Sequence, residues 1–179
     1  MTSTTDPTRQ ARLALTPKTS LAGLLDGAWW PYSRDLAAEL PSLVDALEER
    51  WGRITRLTAN PAPWPTVPYA VPVHGHTVHI GWFTEQARDR MILLSCSLGR
   101  CDLLVVPPEA GSASAARLMA AASAPGNVHD TEAVMSAESA DGHASREGAR
   151  AADREAHWPK RARPVVGARM LPLPRSMRR

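Results

Sequence analysis

The sequence predicts an α+β domain: an antiparallel, meander-like sheet of about five strands flanked by two helical regions, followed by a disordered C-terminal tail. Three observations predict it. Apolar residues recur at helical spacing from Leu36 to Trp51. Short apolar or alternating runs bounded by proline and glycine follow one another between Arg53 and Val106. After Asn127 the composition shifts to Ala, Ser, Glu, Arg and His, with few large apolar residues before Trp158. Such a segment buries too little surface to offset its ordering entropy. The expected organisation is therefore a disordered start over 1–10, one domain over 11–127, and a disordered, basic, Pro/Arg-rich tail over 128–179.

In chain order, Arg12-Leu-Ala-Leu-Thr16 alternates and reads as a short strand ending at Pro17. Asp26-Gly27 is a turn dipeptide. Pro31 pushes Trp30 into an extended conformation, so Trp29 and Trp30 point to opposite sides. Ser33 is the expected N-cap of a helical region over Ser33–Arg50, with Asp35 suiting the positive end of its dipole. Leu36, Leu40, Leu43, Val44, Leu47 and Trp51 form its apolar stripe. Pro41 falls inside that stripe. It predicts a kink, or a break into two pieces in phase, because a proline within a helix costs about 3 kcal/mol.

Gly52 ends the helix and Arg53–Ala59 reads as a strand. Asn60-Pro-Ala-Pro-Trp-Pro-Thr-Val-Pro68 holds four prolines in nine residues and predicts a stiff extended loop carrying Trp64. Tyr69–Val73 is a short edge segment, and His74-Gly75 turns the chain into a strand over His76–Phe83. Val78, Ile80 and Trp82 share one face of that strand; Thr77, His79, Gly81 and Phe83 share the other. Thr84–Arg90 is a polar hairpin connection. Met91–Cys96 and Asp102–Val106 are apolar on both faces, the pattern of strands covered on both sides, with Leu98-Gly99 turning between them. An alanine-rich helix spans Ser112–Ser123, with Ser112 or Ser114 as cap. Ala144–Ala156 has the composition of a marginal polar helix.

Charge is unevenly placed. Residues 1–123 hold eleven Lys/Arg and eleven Asp/Glu, whereas 124–179 hold ten and seven, so the net +3 belongs to the tail. No apolar run reaches the length of a transmembrane helix. Met1–Gln10 lacks the apolar stretch of a secretory signal, so the cytoplasm is the expected compartment. There a pair of cysteines, Cys96 and Cys101, is expected as two buried free thiols.

The run Asp26-Gly-Ala-Trp-Trp-Pro-Tyr-Ser-Arg-Asp-Leu-Ala-Ala-Glu-Leu-Pro41, with Trp51-Gly-Arg-Ile-Thr-Arg-Leu-Thr-Ala-Asn-Pro61, Gly81-Trp82-Phe83 and Asp102-Leu-Leu-Val-Val-Pro-Pro-Glu109, resembles an actinobacterial family of unknown function. The resemblance covers roughly Ala11 to Asn127. It implies one compact domain and a bacterial origin, and it implies no activity.

For chemistry, no nucleophile elbow, phosphate loop, dinucleotide fingerprint or metalloprotease helix is present, and no catalytic residue or cofactor is assigned. His74, His76 and His79 do not make a metal site: His79 points away, and no carboxylate or thiol is spaced to complete a ligand set. Six tryptophans beside one Phe and two Tyr raise a sharper question. Trp51 and Trp82 fit core positions. Trp29 or Trp30, with Tyr32, Arg34 and Trp64, would line a groove roofed by the proline loop and suit a sugar, a base or a proline-rich peptide. Against this stands the plain alternative that the rings supply buried area to a small domain. The leading reading is a noncatalytic cytoplasmic binding module for a protein or small molecule at Trp29, Trp30, Tyr32, Arg34 and Trp64. The alternatives are a small-molecule enzyme using that pocket with Asp26 or Asp35, and weak nonspecific nucleic-acid binding through the basic tail, where Trp158 could stack on a base.

Overall fold

The computed structural model describes residues 9–17, 23–97 and 99–156. Backbone contacts divide the chain into a unit ending at Ala144 and a second from Ser145 to Arg179. Among the described residues seven strands, β1 (Leu13–Leu15), β2 (Gly27–Trp29), β3 (Ile54–Ala59), β4 (Ala70–Val73), β5 (His76–Trp82), β6 (Arg90–Ser95) and β7 (Arg100–Val105), form one sheet in the order β1-β2-β7-β6-β3-β5-β4. The helices are α1 (Leu36–Trp51), α2 (Ser112–Ala122) and α3 (Thr131–Ala156).

The α+β class stands, but the sheet is mixed and is not a meander of five strands. Two pairs are parallel: β2 with β7, aligning Trp29 with Val105, and β3 with β5, aligning Leu57 with Ile80. Parallel neighbours need a crossover rather than a hairpin. For β3 and β5 the crossover is the proline loop. It carries the chain past the place of β5 to the sheet edge, and β4 then folds back antiparallel onto β5. For β2 the partner lies more than seventy residues away, and the three-residue strand has no alternation long enough to announce itself. Gly27 opens this strand instead of turning the chain. A Cβ there would meet the Ala14 carbonyl oxygen at 2.2 Å, so β1 can close on β2 only over a glycine.

Helix α1 is continuous through Pro41, without the expected break. Its stripe Leu36, Leu40, Leu43, Val44, Leu47 and Trp51 is wholly buried against the sheet. At about 2 kcal/mol for each large side chain, that burial outweighs the proline's cost. The N-cap is Asp35, not Ser33: one Asp35 carboxylate oxygen accepts from the Ala37 and Ala38 amides at 3.1 and 3.2 Å. The Ser33 hydroxyl donates to Glu39 at 2.8 Å and accepts from the Asp35 amide, tightening the turn before the cap. The cap position of α2 is Gly111, with no side-chain cap.

Two cores result. Helix α1 covers one face with Leu57, Val78, Ile80, Met91, Leu93 and Leu103. On the opposite face Leu25, Ala28, Leu104 and Val106 meet Ala115, Leu118 and Ala122 of α2 and Val134 of α3. That second core covers β7 on both faces, whereas Ile92 and Leu94 of β6 stay half-buried. Asn127 ties the second core together: its amide donates to the Leu25 and Ala122 carbonyls at 2.9 Å each, and its side-chain oxygen accepts from the Leu25 amide at 3.0 Å. Helix α3 begins at Thr131, upstream of the stretch the composition favoured. Val134 and Met135 pack into the second core there, a local pair hidden by the polar average of the segment. Residues 1–8 and the basic end from 157 onward lie outside the described residues.

Candidate functional site

The aromatic segment does not form one surface. Trp29 and Trp30 point to opposite faces, as an extended backbone requires. Trp29 is buried in the α1 core and stacked on Trp64, with ring centroids 6.1 Å apart and planes inclined by 17°. Trp64 is buried too, its amide bonded to the Pro61 carbonyl at 3.0 Å, so this pair anchors the proline loop from beneath. Trp30 is half-buried against the second core. The Arg12 guanidinium lies 3.5 Å from the Trp30 ring centroid and 4.0 Å from that of Tyr32, and Arg9 lies 5.1 Å from Tyr32. Arg12 also donates to the carbonyls of Trp30 and Pro31 at 2.9 and 2.7 Å. Residues preceding β1 therefore lie against the Trp30 and Tyr32 rings, while Tyr32 stays 38% exposed.

Arg34 is placed differently. Its Nε and Nη2 donate to the two Glu109 oxygens at 2.7 Å each, and Nη1 donates to the Pro63 carbonyl at 3.0 Å. This fork joins the start of α1, the proline loop and the segment after β7. Its exposed flank forms the wall of a cavity of about 430 Å³, completed by Ala62, Pro63, Arg88 and Asp89. A larger cavity, about 630 Å³, lies between the Thr84–Asp89 connection and the first turns of α3, with Asn60, Gln86, Thr131, Met135 and Ser136 in its wall. Arg88 and Asp89 line both. Of the five residues proposed from sequence, Arg34 alone lines either cavity.

The side-chain amides of the walls are committed to the backbone. Asn60 donates to the Thr84 and Gln86 carbonyls at 3.0 and 2.7 Å and accepts from the Ala62 amide at 2.8 Å. Gln86 donates to the Thr58 and Arg90 carbonyls at 3.0 and 2.8 Å. Asp89 stands apart from this network: among the described residues its carboxylate has no ion pair. Burial pushes its carboxyl above the usual range, against the opposing pull of Arg34 and Arg88. Sequence reasoning missed Asp89, since nothing in the spacing of a polar hairpin marks one carboxylate as the one that faces a cavity.

The other candidates have structural partners. Asp35 caps α1. The Asp26 carboxylate accepts from the Asp102 amide at 2.8 Å, and burial, with the Asp102 charge, holds its carboxyl above 3.8. Asp102 is itself gripped by Arg90 and Arg100, whose guanidiniums donate to it at 2.9 Å (Arg90 Nε) and 2.7 Å (Arg100 Nη2). Burial raises the Asp102 carboxyl, but those bonds outweigh it and leave the group below its ordinary range. His74 and His76 do meet carboxylates, a pairing that sequence spacing did not reveal. His74 Nδ1 lies 2.7 Å from Asp45, and His76 Nε2 lies 3.4 Å from Glu48 and 2.6 Å from the Ile54 carbonyl. These pairs clasp the β4–β5 turn to α1, and His79 is exposed on the opposite face. Among the described residues no three His, Cys, Asp or Glu side chains converge as a metal site. Both cysteines are free, but only Cys101 is buried; Cys96 lies past the end of β6 and is exposed, contrary to expectation. Burial and the neighbouring Asp26 and Asp102 push the Cys101 thiol far up, which keeps it protonated and inert. No described helix is long and apolar enough to cross a membrane. Trp158 and the basic tail fall outside the described residues.

No curated protein and no solved structure matches the chain. Residues 12–122, which span β1 to α2 and include Arg34, Arg88, Asp89 and Glu109, match a family model over more than half of the sequence. The chain belongs to DUF5994, a family of unknown function.

Proposed function

We propose that the protein is a noncatalytic, cytoplasmic binding module whose ligand occupies the cleft where the two cavities meet at Arg88 and Asp89. The observation that carries this reading is Asp89: a half-buried carboxylate without an ion pair among the described residues, at the junction of cavities of about 430 and 630 Å³. Desolvation makes a bare carboxylate costly, and a ligand cation restores its charged form. Arg88, exposed on the same wall, offers a complementary contact for an anionic group. The ligand class is a small zwitterion carrying an ammonium and a carboxylate or phosphate. Binding without turnover fits the residue set. A paired acid and base would need a second group in reach of the first, and here Glu109 is held by Arg34 while Asn60 and Gln86 are tied to backbone. The aromatic segment serves as support, with Trp29 and Trp64 setting the loop that holds Arg34. The actinobacterial setting implied by the sequence resemblance belongs to the same proposal.

The test is ligand-observed NMR of the full chain against a panel of free amino acids and phosphoamines, repeated with Asp89→Asn and Arg88→Ala. Binders that lose at least tenfold in affinity in both variants support the reading. A panel with no binder, or binders indifferent to both substitutions, overturns it.

A further inference from the structure

We propose that the sheet face opposite α1, over β4, β5, β3 and β6, is a platform for single-stranded nucleic acid. The alternation of the strands defines the face. Val71, Val78, Ile80, Leu57, Met91 and Leu93 point into the α1 core, so Thr77, His79, Gly81, Arg56, Thr58, Ile92 and Leu94 point the other way. Helix α2 covers the β1, β2 and β7 side, Val134 and Met135 of α3 add to that cover, and Thr77, His79 and Arg56 are exposed.

Register arranges this face in two rows. Gly81, Thr58 and Ile92 lie side by side, and His79, Arg56 and Leu94 form the next row, about 7 Å along the strands. Gly81 has a specific consequence. A Cβ on it would come within 2.9 Å of Phe83 Cε2 and 3.5 Å of Thr58 Cγ2, so the Phe83 ring lies down over the glycine. Phe83 is still 54% exposed, which leaves a ring backed by the sheet and open to solvent. That is what base stacking needs: a π-face held flat, with small neighbours that let a base approach. The charge is also suited to a polyanion. Arg56 has no ion pair among the described residues, Arg100 is half-exposed, and Asp102, beside Ile92 on the neighbouring β7, is outnumbered by Arg90 and Arg100. An exposed ring one row along the strands from Arg56 offers a base a stacking face and its phosphate a cation.

Phe83 and Arg56 do not line the Asp89 cleft, so each proposal can fail alone. Full-length protein is titrated into a fluorescein-labelled single-stranded oligonucleotide of about ten nucleotides, followed by anisotropy. Phe83→Ala and Arg56→Glu are each expected to weaken binding about tenfold, and Arg56→Glu also to reduce the salt slope by about one. Phe83→Tyr should retain affinity. Both altered residues are exposed, and matched thermal melts confirm folding. Affinity that is unchanged in both variants locates the binding in the basic tail and overturns the proposal. Absence of binding, or equal affinity for a duplex, overturns it as well.

Discussion

Replacing Trp64 with alanine separates the two roles open to the tryptophans. In the structure Trp64 is 5% exposed and stacked on Trp29, itself 1% exposed. Truncating a buried tryptophan costs about 3–5 kcal/mol through lost transfer energy and the cavity left behind. The stacked geometry accounts for about 0.5–1.5 kcal/mol of coupling between the rings. An expected loss of about 4 kcal/mol leaves a protein of ordinary stability still folded but lowers its Tm by roughly 12 °C for a chain of this size. The assay is urea unfolding followed by far-UV circular dichroism, which does not depend on the tryptophans removed. Trp64→Ala, Trp29→Ala and the double variant complete a cycle, and the double variant should lose less than the sum of the singles by the coupling energy. Trp64→Phe should recover part of the loss. If Trp64→Ala costs under about 1 kcal/mol, the ring is a surface residue and the core assignment, with the loop anchoring derived from it, is wrong.

Further perturbations test other parts of the argument. Pro41→Ala should stabilise by about 2 kcal/mol, the helix-interior cost of proline less its benefit in restricting the unfolded chain; a loss in urea unfolding would show that the ring makes packing contacts of its own. Gly27→Ala should destabilise by several kcal/mol or abolish folding, since its Cβ would sit 2.2 Å from a carbonyl oxygen; soluble protein with an unchanged melting curve would refute the tight β1–β2 approach. The third concerns pH. The folded carboxyl of Asp102 is lowered, so the stability it contributes is present above 3.8 and disappears as pH falls through the folded value. Asp102→Asn should therefore cost about 3 kcal/mol near neutrality, with the gap to wild type closing in strong acid. Asp26 has the opposite sign: with its carboxyl raised, its contribution is fully present below 3.8 and lost as pH rises through the raised value. Asp26→Asn should be neutral or stabilising at pH 7, and a large loss there would contradict the assignment of burial as the dominant influence.

The parts legible in the sequence are those set by local periodicity. The stripe from Leu36 to Trp51 was strong enough to mark the buried face of α1 through Pro41, because core burial exceeds one missing hydrogen bond. Strands β3 to β7 each showed a run of apolar or alternating residues, and α2 an alanine-rich one. Choices between equivalent local options were less legible: Ser33 and Asp35 are both good caps, and the structure uses each for a different bond.

What only the tertiary structure decided depends on partners distant in the chain. The pairing of Trp29 with Val105 places a strand too short to show a pattern, and the proline loop makes β3 and β5 parallel by the path it takes. The same holds for the sites. Trp64 became a core residue because Trp29 lies beneath it, and Arg12 lies against Trp30 and Tyr32 because β1 pairs with β2. Asp89 faces a cleft because the proline loop lies on one side of it and the first turns of α3 on the other. Residue type and spacing encode which side chains avoid water; which of them meet, and which carboxylate faces a cleft, is settled by packing over long sequence separations.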